Sequence, residues 1–123
     1  MGKTMDKTAV LDLPGALSRA DGDQDLFLTL AGLFLQESPK EAAAARAALE
    51  RQDRAGLAAA AHKLKGSVEE MCAPHLYQST KRLEELGRQG EFAEASSVCA
   101  DVERRLAEVH AALRDLIAGG FPS

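Results

Sequence analysis

The run Ala58-Ala59-Ala60-Ala61-His62-Lys63-Leu64-Lys65-Gly66-Ser67-Val68 holds the side chain best suited to chemistry in this chain, the imidazole of His62. A neutral imidazole keeps a lone pair on one ring nitrogen and a proton on the other, so it can serve as base, ligand or nucleophile. A helix advances about 100° per residue, so Leu57, Ala61, Leu64, Val68 and Met71 share one arc that must face a core. His62 lies roughly 140° from the centre of that arc and so faces solvent. Within about 60° of it lie Ala55, Ala58, Ala59, Lys65 and Gly66. A solvent face is normally filled with Glu, Lys, Gln and Arg. Here the imidazole stands on a cleared platform with one cation a turn away. Gly66 in mid-helix costs roughly 1 kcal/mol against alanine, which points to close approach by another protein's backbone. Lys65 offers positive charge to an anionic group carried on His62. The bland readings are an indifferent surface histidine and an ordinary solvated lysine.

The elements around this helix decide whether His62 has a partner. The turn after it is centred near Ala73, with His62 eleven residues before and Glu84 eleven after. In an antiparallel hairpin, equal distance from the turn means equal height. Glu84 follows the stripe residue Leu83 just as His62 follows Ala61, so its carboxylate can reach the imidazole. A carboxylate on one ring nitrogen fixes the tautomer and leaves the other lone pair free, as a phosphoryl-accepting nucleophile requires. The competing reading pairs Glu84 only with Lys81 or Arg88 on its own helix.

Further out, Ala20-Asp21-Gly22-Asp23 reads as a turn with a capping aspartate, before an apolar helix from about Gln24 to Gln36 with Leu26, Leu30, Leu33 and Phe34 at helical spacing. Ser38-Pro39-Lys40-Glu41 reads as a capping box that starts a second helix running to about Arg51. The alternative is one long helix kinked at Pro39. Asp53 caps a helix from about Arg54 to Met71. Ala73-Pro74 opens another, which Gly87 would stop. The last runs from about Phe92 to Ile117 with Val98, Val102, Leu106, Val109, Leu113 and Leu116 as its stripe. Residues 1–10 are expected to be a flexible N-terminus and 11–118 one domain. With short connections and no strand pattern, these helices predict an all-α fold. It is an antiparallel up-and-down four-helix bundle with an additional N-terminal helical segment.

Composition narrows the function. The formal net charge of −4 argues against nucleic-acid binding, which favours a basic face. No apolar run approaches the ~18 residues of a membrane span, and no secretory segment is evident. A cytoplasmic monomer is expected. Cys72 and Cys99 make no disulfide scaffold. A metal site from Cys72, His75, Cys99 and His110 is the remote rival. Cys99 and His110 would lie about 16 Å apart along one helix, so no metal is expected, and His75 and His110 read as ordinary helix residues.

The segment Ala61-His62-Lys63-Leu64-Lys65-Gly66-Ser67 resembles the signature of histidine-containing phosphotransfer (HPt) domains. The likeness extends from about Leu11 to Leu116, through Gly22-Asp23, Phe34-Leu35, Pro39, Leu83-Glu84 and Leu86-Gly87-Arg88. It implies that His62 accepts a phosphoryl group from a receiver-domain aspartate, as in a hybrid sensor histidine kinase, and passes it to the receiver domain of a response regulator. The chain would then be a phosphoryl carrier rather than an enzyme, with no cofactor of its own and Mg2+ expected on the partner receiver. The resemblance implies site roles for Lys65 and Glu84 beside His62. Ala58, Ala59, Lys65, Gly66, Glu69 and Arg88 would form the partner-binding face. The chain departs from the family at Cys72, where glycine is usual, and at Glu69 and Glu70, where small or polar residues are common. Glu69 could repel a phosphoryl group or select partners. The alternative is a degenerate bundle that docks a receiver or kinase without being phosphorylated.

Overall fold

The structure is a computed structural model and describes residues 10–121. The flexible N-terminus expected over residues 1–10 therefore lies, but for Val10, outside the described residues. Five helices occur among those described: α1 (Leu13–Arg19), α2 (Gln24–Glu50), α3 (Arg54–Met71), α4 (Pro74–Gln89) and α5 (Phe92–Gly119). No strand accompanies them.

Three aspartates start three helices. Asp12, Asp23 and Asp53 accept from the backbone N–H of Gly15 (3.1 Å), Leu26 (3.0 Å) and Gly56 (2.9 Å). Each such cap contributes about 1 kcal/mol. Pro74 opens α4, where its missing N–H costs nothing. The connections 51–53, 72–73 and 90–91 are too short for anything but antiparallel neighbours. Helix α3 packs on α2 and α4, and α5 on α4 and α2, which closes a four-membered ring. Helix α1 bridges α2 and α3, and the Asp12 N–H donates to the Cys72 carbonyl at 2.7 Å.

The expected break at Pro39 is absent, and the long-helix alternative is the one found. Helix α2 runs unbroken through Pro39. An interior proline removes one helical hydrogen bond and costs ~3 kcal/mol. The buried face that crosses it, with Phe34, Ser38, Glu41 and Ala45, holds the helix together. Ser38 is accordingly not a cap. It is fully buried, with its hydroxyl 2.8 Å from Nε2 of His110. His110, which reads as an ordinary helix residue in the sequence, thus has a specific interior partner. It is half-buried, edge-on to Phe34, and burial and then the Arg114 charge lower its pKa.

Two further expectations change. The spacing of the first helix predicts Leu26 and Leu33 in its core stripe, but both are exposed, and Phe27 and Ala31 face inward beside Phe34. Gly87 does not end α4. The helix continues to Gln89, and Gly90, with φ of +74°, makes the left-handed stop. Gly87 is instead buried where α3 and α4 touch. A Cβ there would lie 3.0 Å from Leu57 Cγ and 3.1 Å from the Ala58 nitrogen. Only glycine lets these two helices approach so closely.

Candidate functional site

The core arc of α3 forms as its sequence predicts. Leu57, Ala61, Leu64 and Val68 are fully buried, and Met71 nearly so. That fixes the roll of α3 and turns His62 outward, with 65% of its side chain exposed. The close approach at Gly87 sets the spacing of α3 and α4 one turn from Glu84. Glu84 is itself 4% exposed and lies under the imidazole.

The reach inferred from the hairpin register is present: His62 Nδ1 lies 3.0 Å from Glu84 Oε2. The alternative pairing is only partly present. Lys81 is not a partner of Glu84, whereas Arg88 hydrogen-bonds the same Oε2. Lys65 completes the set, with Nζ 2.8 Å from Oε1. Burial pushes the Glu84 carboxyl upward. Hydrogen bonds from Lys65, Arg88 and His62 more than offset that and bring its pKa down to about 2. Glu84 is therefore a carboxylate at any physiological pH and can only accept. His62 must donate through Nδ1–H, and its Nε2 lone pair faces solvent.

Lys65 sits differently from the sequence expectation. It is not a free cation waiting beside His62 but is held by Glu84, whose hydrogen bond raises the lysine's pKa against the opposing effect of burial. Glu84, Lys65 and Arg88 together carry one net positive charge beside the imidazole.

The remaining site residues fall on one face, though not equally open. Ala59 and Gly66 are exposed, and nothing lies within 4 Å of a Cβ built on Gly66. Ala58 is half-buried because its backbone meets Gly87. Glu69 is exposed and lies 3.6 Å from the Arg19 guanidinium of α1, a partner that spacing within α3 could not have revealed. Glu70 is exposed beside it. Cys72 adopts φ 55° and ψ 55° and is the left-handed cap of α3. No group of three His, Cys, Asp or Glu among the described residues could hold a metal ion. No described helix is long and apolar enough to cross a membrane.

Comparison with known proteins gives a concordant result. The family model described as Hpt domain matches residues 29–117. A search of curated proteins finds no match. Among solved structures, the chain resembles histidine-containing phosphotransfer protein B (HptB) from Pseudomonas aeruginosa PAO1, at 29% identity and a TM-score of 0.82. That match covers 88% of this chain and 94% of that one. It also resembles the HPT domain of a sensor hybrid histidine kinase from Shewanella, at 18% identity and a TM-score of 0.79, covering 89% and 95%. At that identity the second likeness speaks for the fold alone.

Proposed function

We propose, for a chain that belongs to the Hpt domain family and so has a histidine phosphotransfer role in two-component phosphorelays, that His62 is the residue phosphorylated. The observation that carries this is the Nδ1–Glu84 contact of an otherwise solvent-facing imidazole. Hpt domains interact with receiver domains, and the partner's aspartyl phosphate is the donor in this reading. The Nε2 lone pair attacks phosphorus, an N–P bond forms, and the acyl-phosphate P–O bond breaks, returning the aspartate as a carboxylate. No proton moves. The imidazole, still protonated at Nδ1, becomes cationic, and the Glu84 carboxylate lies 3.0 Å away to stabilise that charge. Transfer to a second receiver is the same step in reverse.

An Hpt domain is a phosphocarrier and not an enzyme in the usual sense. On this reading the partner receiver completes the chemistry, while Lys65 and Arg88 meet the negative charge of the group in flight from this side. The receiver docks over Ala59, Gly66 and the neighbouring outer face of α3. A cytoplasmic location and a monomeric state go with this reading. No described residue favours the alternative of docking without phosphorylation. His62→Gln should fold as wild type and take up no phosphoryl group from a phosphorylated receiver, measured as acid-labile, alkali-stable label. Label retained at wild-type level on that variant refutes the assignment.

A further inference from the structure

Resting on that reading of His62, we infer that the groove between α1, the last turn of α3 and the first turns of α4 is a second contact for the partner receiver, one that takes a basic side chain of that partner. The groove encloses about 310 Å3, and its lining includes Asp12, Arg19, Glu69, Cys72, Tyr77 and Gln78. Its position follows from helix geometry. Glu69 is seven residues after His62 on α3, and Tyr77 is seven before Glu84 on α4. Seven residues are within 20° of two whole turns, about 10 Å along the axis. The groove and the imidazole therefore lie on one seam, two turns apart. A protein that covers His62 with a surface of ordinary interface size also covers the groove.

The chemistry of the groove selects its occupant. The lining carries two carboxylates, Asp12, which caps α1 through Gly15 N–H, and Glu69, against one guanidinium, Arg19. The Arg19–Glu69 pair is long at 3.6 Å, and both side chains are half exposed. A well-formed charged hydrogen bond spans about 2.7–2.9 Å, as Arg46–Glu103 does at 2.7 Å elsewhere in this fold. Glu69 is therefore open to a second cation, with Tyr77 lining the same groove. The other end of the seam has the opposite sign, since Lys65 and Arg88 outweigh Glu84. A partner with its anionic phosphoaspartate over His62 and a lysine or arginine about 10 Å away matches both ends. Turned around, it would set like charges against each other, so the polarity of the seam fixes docking orientation and discriminates among receivers.

The test uses the full chain and the purified receiver domains of its source organism, each phosphorylated with acetyl phosphate. The receiver that phosphorylates the wild type fastest is taken as the probe. Glu69→Lys and Gln78→Lys should each reduce the second-order transfer rate constant about tenfold at low salt, through a higher half-saturating receiver concentration and an unchanged maximal rate. Half-molar salt should shrink that loss. Direct labelling of His62 by phosphoramidate, which needs no receiver, should match wild type in Gln78→Lys. Transfer within twofold of wild type at low salt overturns the inference, as does an equal loss at high salt or a parallel loss of phosphoramidate labelling in Gln78→Lys. Failure of every receiver to phosphorylate the wild type, with phosphoramidate labelling intact, instead removes the relay reading of His62 on which the inference rests.

Discussion

Replacing Glu84 by glutamine tests the charge logic of the site most directly. The change keeps the shape of the side chain and an oxygen for His62 Nδ1–H, but removes the charge that Lys65 and Arg88 share. The carboxyl pKa is about 2 in the fold against an ordinary 4.5, a difference worth about 3 kcal/mol at 1.36 kcal/mol per unit. Glu84 itself is buried, but Arg88 and His62 are more than half exposed, and water screens their share. About 2 kcal/mol is then the working figure. The sign follows from linkage: a depressed carboxyl pKa contributes stability that is fully present above the unfolded value near 4.5 and is lost as pH falls toward 2. Wild type should exceed Glu84→Gln by about 2 kcal/mol in urea unfolding at pH 7. The gap should narrow between pH 5 and pH 2.5 and nearly close at the low end. Parallel stability curves for the two proteins across that window would refute the shared-carboxylate account, because the carboxylate would then carry no coupled charge to lose.

Two glycines of the site should respond in opposite senses. Gly66→Ala meets open space and should stabilise the helix by up to about 1 kcal/mol, while slowing transfer from a receiver, with thermal unfolding and transfer assays read side by side. Gly87→Ala drives a methyl group into the backbone of Ala58 and should cost about 1–3 kcal/mol by overpacking, visible as a lower unfolding midpoint. Cys72→Gly should stabilise by about 1 kcal/mol in urea titrations, because glycine occupies the left-handed cap without the Cβ penalty.

Most of the site could be read along the chain because it rests on local rules. The roll of α3 follows from Leu57, Ala61, Leu64 and Val68, and the height of Glu84 from counting through one hairpin. The aspartate caps at Asp23 and Asp53 are equally local. What the sequence hid depends on distant partners. Ser38-Pro39 carries the signature of a helix start, and only the interior it shares with His110, 72 residues on, shows why the helix continues. Leu26 and Leu33 have the spacing of a core stripe, but Phe27 and Ala31 offer an alternative face beside Phe34, and packing decided between them. Gly87 is read by rule as a stop, and only the neighbouring helix shows it to be a contact. The Arg19–Glu69 pair joins residues 50 positions apart and leaves no trace in either helix alone.

The buried floor beneath His62 bears on how this protein signals. Leu57, Ala61 and Leu64 have no exposed surface, and on the proposed reading the charges that would receive a phosphoryl group are already assembled on Glu84. Adding the group asks for a redistribution of hydrogen bonds among side chains and for no change of backbone. The message is then mass rather than shape: a covalent token on an unchanging carrier. A rigid carrier of that kind holds no memory of which protein loaded it. On the proposed reading, the direction of flow would be set by the relative phosphorylation of the receivers it meets, so the same molecule would charge one regulator and drain another.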